Sequence, residues 1–165
     1  MRNRIRSVAI ILPLVALVLT GCSSKSQTTT FTLQQAKPHL ETIPVKATGH
    51  SMGDLVSFVA PVSRDGNPAG VVSGILVTVD LPGDRIGEEE LESRVSTIVV
   101  RFSPTDCLTL SGSAVYPMNV FEMKTSVPQV RAITGGTGAY IGARGQVTTT
   151  RNEDGTYTHV VELLQ

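Results

Sequence analysis

The sequence predicts an all-β protein built on an antiparallel sheet. Three observations carry this. From Thr42 onward the chain is a succession of short β-favouring runs broken by turn residues. No stretch beyond the N-terminal apolar run has a helical period, and Glu88 to Arg94 offers one helical turn at most. The connections are too short for the crossovers that parallel strands need.

Eight strands are expected, in order. Thr42 to Thr48 is the first. Asp54 to Val62 is the second, closed by the turn signal Arg64-Asp65-Gly66-Asn67. Gly70 to Asp80 is the third and is almost wholly apolar. Arg94 to Phe102 and Cys107 to Tyr116 pair across Ser103-Pro104-Thr105-Asp106. Gln129 to Thr134, Gly145 to Arg151 and Thr156 to Leu164 complete the set, with Asn152-Glu153-Asp154-Gly155 turning the last pair. Eight antiparallel strands close into a barrel or stack as a sandwich, and the pattern alone leaves both open.

The chain has 165 residues, 14 of them basic and 14 acidic, with no tryptophan and 4% aromatics. One domain with an aliphatic core is expected. Arg2, Arg4 and Arg6 precede an apolar run from Val8 to Leu19, too short to span a bilayer and flanked like a secretory signal. The run ends in Leu19-Thr20-Gly21-Cys22, which resembles the bacterial lipobox. That resemblance implies removal of residues 1–21, lipidation of Cys22 and attachment to the membrane on the exported side of the cell envelope. Without its three leader arginines the mature chain is mildly acidic and has no Lys/Arg cluster, which argues against nucleic acid as a partner. Residues 22–38 are rich in Ser, Thr and Gln and read as a flexible tether, leaving 39–165 as the folded domain. If Cys22 is acylated, Cys107 has no partner for a disulfide. It is expected to be a small buried residue rather than a nucleophile.

Two segments bear on barrel against sandwich. Met52 to Leu81 contains Gly53-Asp54-Leu55-Val56-x-Phe58, a turn, and then Gly70-x-x-x-Gly74. Ala132 to Val147 contains Gly135-Gly136-Thr137-Gly138-x-Tyr140-x-Gly142-Ala143-Arg144-Gly145. The first resembles the allene oxide cyclase barrel, and the second resembles both that family and the plant dirigent proteins. Asp106 to Gly112 is similar to the family's middle strand. The resemblance implies an eight-stranded antiparallel β-barrel of lipocalin-like architecture with a mostly apolar cavity. It also implies cofactor-free chemistry. The family's catalytic groups, however, are a glutamate on the first strand and an asparagine after the Gly-Asp-Leu-Val-x-Phe run. Here the expected first strand has no carboxylate, Glu41 lying just before it, and the asparagine position falls on Ala60.

The glycine segment has its own physical reading. Gly135, Gly136, Gly138, Gly142 and Gly145 suit a compact connection against the barrel rim, with Arg144 bonding loop carbonyls. A phosphate loop is disfavoured, because the spacing is one residue longer than the dinucleotide fingerprint and no Walker lysine follows. Asp54 is expected to cap backbone N–H groups. His39, His50 and His159 lack metal spacing, and no metal or other cofactor is expected. Glu88, Glu89, Glu90 and Glu92 read as a solvated acidic loop. Strand alternation nominates Val56, Phe58 and Ala60 as cavity-lining, and the resemblance points that face inward. Tyr157 and His159 share a face of the last strand: if it is interior they are the polar cavity-lining pair that orients a ligand, if exterior they are surface groups; Tyr116 ends its strand near a rim and is a third candidate. Three functions stay open: a barrel that binds a small apolar ligand, an isomerase or cyclase acting by confinement, and a structural or interaction barrel with a filled interior. Ligand identity and oligomeric state are not legible.

Overall fold

In the computed structural model, which describes residues 27–82, 90–118 and 120–164, nine β segments form one sheet. They are β1 (Thr28–Gln35), β2 (His39–Ile43), β3 (Leu55–Arg64), β4 (Asn67–Asp80), β5 (Leu91–Arg101), β6 (Cys107–Pro117), β7 (Gln129–Thr137), β8 (Gly145–Arg151) and β9 (Tyr157–Leu164). The order is β1-β9-β8-β7-β6-β5-β4-β3-β2, and every neighbouring pair is antiparallel. The ring closes where Gln34 and Gln35 of β1 stand opposite Ser63 and Val62 of β3. Further along, β2 pairs with β3 from His39 to Ile43. β1 and β2 are therefore two halves of one stave, interrupted at 36–38, and the nine segments make a closed eight-stranded barrel. Closure also rules out the sandwich.

The N-terminal segment corrects one expectation. Thr28–Gln35 is not a tether but the strand that closes the barrel, paired with β9 along its whole length. Phe31 and Leu33 point inward between exposed Thr30, Thr32 and Gln34, and Leu33 has no exposed surface. Two apolar anchors suffice because β9 saturates one full edge of backbone hydrogen bonds. A polar composition hides a strand whose outward residues are all Thr or Gln. Residues 1–26, with the expected signal and Cys22, lie outside the described residues.

Three smaller corrections concern boundaries. The first expected strand, Thr42–Thr48, ends instead at Ile43 and begins at His39. Pro44 brings no N–H to a ladder. Val45 N–H is drawn to Asp54 Oδ1 at 2.8 Å, while Ser51 N–H bonds Asp54 Oδ2 at 2.8 Å. These bonds, the one to Val45 first, hold the Asp54 carboxyl below its usual range. β7 runs to Thr137 rather than Thr134, so Gly135 and Gly136 belong to the sheet, opposite Thr109 and Leu108. Leu91–Arg101 is strand rather than part of a helical turn, with Glu88 and Glu89 outside the described residues.

One end of the barrel is sealed. The connections at 65–66, 102–106 and 138–144 all lie there. Phe102 stacks on Tyr140 with ring centroids 4.9 Å apart and meets Phe31 edge-on at 6.5 Å; Arg64 covers the Phe31 ring at 4.4 Å. The glycine segment builds this cap. Gly138 has φ +57, and a Cβ there would stand 2.0 Å from Asp106 Oδ1. That oxygen accepts Ala139 N–H at 3.0 Å, the main reason the Asp106 carboxyl titrates below its usual range. Gly142 turns the chain and Gly145 opens β8. Arg144 Nη1 donates to Thr134 O and Ala143 O at 2.9 and 2.7 Å. Half-buried Cys107 sits beside this cap, Sγ 3.2 Å from Thr137 Oγ1.

Candidate functional site

The inward face of almost every stave changes character along its length. Toward the sealed end it is aliphatic: Leu33, Val62, Val72, Val100, Leu108, Ile133, Val147 and Val161 form one buried cluster. Toward the other end the same faces turn polar. Gln35 follows Leu33 on β1, and Thr78 and Asp80 follow Leu76 on β4. Ser96, Arg94 and Glu92 precede Ile98 on β5, Arg131 precedes Ile133 on β7, and His159 precedes Val161 on β9. All eight of these polar residues are buried. Alternation places them inside as strictly as it places the valines.

Where the two zones meet is a cavity of about 50 Å³. Val72, Ile98 and Leu110 form its floor, and Phe58, Leu76, Phe121 and Met123 supply further apolar wall. Its polar wall is Gln35, Tyr116, Arg131, Thr149, Tyr157 and His159. The space suits a few waters, and a ring-sized guest requires the side chains at the mouth to yield.

The polar wall is ordered by hydrogen bonds. Arg131 Nε donates to Ser96 Oγ at 3.0 Å, and Arg131 Nη2 donates to Tyr116 Oη at 2.8 Å. Gly112 leaves room for this arginine, since a Cβ there would stand 3.4 Å from Arg131 Cγ. His159 is clamped from both sides, Nδ1 2.9 Å from Thr149 Oγ1 and Nε2 2.8 Å from Gln35 Oε1. Burial, then the nearby positive charge of Arg131, pushes its pKa down to about 4. The imidazole is neutral at pH 7, with one nitrogen donating and the other accepting. Burial raises the Tyr116 hydroxyl, against the pull of Arg131 and Arg94.

A second set of charges holds the mouth. Glu92 is fully buried and paired with Arg94, whose Nε donates to Glu92 Oε1 at 2.6 Å. Arg94 also lies over the Tyr116 ring at 4.5 Å. Its other nitrogens donate to Phe121 O at 3.1 Å and Val120 O at 2.8 Å, which fixes the loop that carries Phe121 and Met123. His50 Nδ1 stands 3.2 Å from Glu92 Oε2. On the opposite side Glu122 receives Arg151 Nη2 at 2.9 Å and the Tyr157 hydroxyl at 3.3 Å. Burial and then Glu122 raise the Tyr157 pKa.

The structure brings Phe58, Tyr116, Tyr157 and His159 to one cavity. Val56 is buried with Leu76 and Tyr116 and lines a neighbouring pocket with His50, Thr78 and Arg94 rather than this cavity, and Ala60 lies in the aliphatic cluster. Glu92 corrects the reading of a solvated acidic loop, having no exposed surface at all. Glu41 is exposed and faces His39 at 3.4 Å, so the barrel interior receives no carboxylate from that stave. Arg131, Gln35 and Thr149 were not singled out from sequence. The signal was present for Arg131: it precedes Ile133 by two on a β run, which puts a charge on the buried face.

No family model matches the sequence, and no curated protein does. Solved structures do match. A pyocyanin demethylase aligns at TM-score 0.62 with 21% identity, over 83% of this chain and 100% of that one. The Diels–Alderase AbmU from Streptomyces koyangensis aligns at 0.58 with 12% identity, over 87% of this chain and 71% of that one. A pterocarpan synthase dirigent protein aligns at 0.54 with 17% identity, over 96% and 97%. At these identities the likeness is one of fold: this chain has the closed antiparallel barrel that the cyclase and dirigent proteins share.

Proposed function

We propose that the barrel holds a small, mostly apolar molecule in the cavity between its aliphatic half and its mouth, on a protein attached to the membrane through lipid on Cys22. The observation that carries the binding reading is the polar wall. Arg131, Tyr116 and His159 converge, buried and ordered, on a space otherwise lined by Phe58, Leu76, Ile98, Leu110 and Met123. An apolar pocket with a few convergent polar groups is the usual form of a small-molecule site. A barrel filled only for stability would not be expected to order polar side chains toward open space. The test is uptake of the neutral fluorophore N-phenyl-1-naphthylamine by the full chain. Leu76→Phe, which fills the cavity, should abolish the signal; a parent protein that takes up no dye would overturn the reading.

A second reading is a cofactor-free isomerase or cyclase that acts by confining its substrate. The neighbour named as a Diels–Alderase supports it by analogy. Both His159 nitrogens are held by Thr149 and Gln35, so the imidazole orders the wall and the shape of the cavity does the steering. Isomerisation leaves mass unchanged. A cell extract incubated with the protein should then show one compound replaced by another of equal mass, and Leu76→Phe, which fills the cavity, should stop the replacement. An unchanged extract would leave the binding reading alone.

A further inference from the structure

Among the described residues three arginines reach the barrel interior or its mouth, and two of them have a carboxylate. Arg94 is paired with Glu92 and Arg151 with Glu122. Arg131 is not paired. It is 3% exposed, and its partners are the hydroxyls of Ser96 and Tyr116. No carboxylate of the described residues lies within ion-pair distance. A guanidinium keeps its charge inside proteins, and burying one without a counter-charge is strongly unfavourable. Two neutral hydroxyls recover only part of that. As a packing element, methionine would serve the site better.

The surroundings leave this charge uncompensated on the cavity side. Glu92 and Glu122, the acids at the mouth, are each committed to their own arginine. The other ionisable groups on the cavity wall, His159, Tyr116 and Tyr157, are neutral at pH 7. Tyr116 adds a second donor. Its oxygen accepts from Arg131, and its own proton has no acceptor among the described residues. Arg131 and Tyr116 thus form a two-donor cradle at the edge of an apolar space.

We propose that Arg131 is the anchor for an anionic ligand, and that the cavity takes a small apolar monocarboxylate. Its carboxylate sits against the guanidinium and the Tyr116 hydroxyl, and its body lies against Phe58, Leu76 and Met123. This rests on the ligand-binding reading and adds the charge of the ligand to it. The ion pair would form in a low-dielectric wall, where charge-assisted hydrogen bonds are about twice as strong as neutral ones.

The test compares naphthalene-2-carboxylate with naphthalene-2-carboxamide, which have the same shape and differ in charge, by titration calorimetry on the full chain. The carboxylate should bind roughly tenfold tighter or more. Arg131→Gln should bring the two to parity, chiefly by weakening the carboxylate. Arg131→Met is the second variant if the glutamine form does not fold, because an apolar residue suits the site. Equal binding of both probes by the parent, with neutral dye still taken up, would overturn the anion inference and leave the binding reading standing. A preference for carboxylate that survives both substitutions would overturn it too. Binding of no probe and no dye would remove both readings together.

Discussion

The two ends of this barrel are built on the same staves and hold different things. The sealed end is an aliphatic cluster under a cap of Phe31, Phe102 and Tyr140. The mouth is a set of buried long polar side chains, each held by a named partner. Stability at the first comes from apolar area removed from water and tolerates conservative exchange. At the second it depends on pairs, and removing one partner strands the other in low dielectric.

The largest expected effect tests the sealed end. Deleting residues 27–35 removes Phe31 and Leu33 from the core and exposes the full edge of β9. Cooperative unfolding in urea should disappear, whereas a true tether would leave the midpoint unchanged. Next come the two buried arginines, which look alike in sequence. Arg94→Met leaves buried Glu92 without its guanidinium, facing only His50, and should cost about 3–5 kcal/mol. Arg131→Met strands no carboxylate and should be neutral or stabilising, with the two read side by side from denaturant midpoints.

His159 gives the mouth a pH signature. Its folded pKa lies below the 6.5 of the unfolded chain, so the folded state binds fewer protons between pH 6.5 and 4. Its contribution is whole above pH 6.5 and drains away as pH falls toward 4, by about 3 kcal/mol in all. Unfolding free energy measured from pH 7 to pH 4 should fall less steeply in His159→Gln; parallel curves would show that the group is not buried neutral. The smallest effect separates core from cavity. Ala60→Phe overpacks the aliphatic cluster and should cost about 1–3 kcal/mol. Leu76→Phe enters open volume and should cost less while blocking the dye.

Sequence reading served the two ends unequally. Alternating Val, Ile and Leu on β4, β5 and β6 announce strands and an inside face, and the glycine segment announces the barrel and its cap. Alternation also put Phe58, Tyr157 and His159 on faces that the structure turns inward. β1 was hidden because only Phe31 and Leu33 are apolar, and composition outweighed period. Glu92 and Arg94 were hidden because charge reads as solvent exposure, while period puts both on the face of Ile98. Pairing is what reconciles them with burial, and pairing between a strand and a distant loop, as from Arg94 to Phe121, has no signature along the chain.

β1 begins at Thr28, at the sealed end, one step from where β9 finishes at Leu164. A lipid on Cys22 would be six residues away, about 20 Å of fully extended chain at most. The aromatic cap would then ride close above the bilayer like the foot of a cup, with the rim turned to the aqueous side. Molecules would arrive by diffusion through the surrounding fluid rather than by sliding out of the lipid. With such an anchor, solubility in water, and with it a charged group on an otherwise greasy guest, would become a condition of being captured at all.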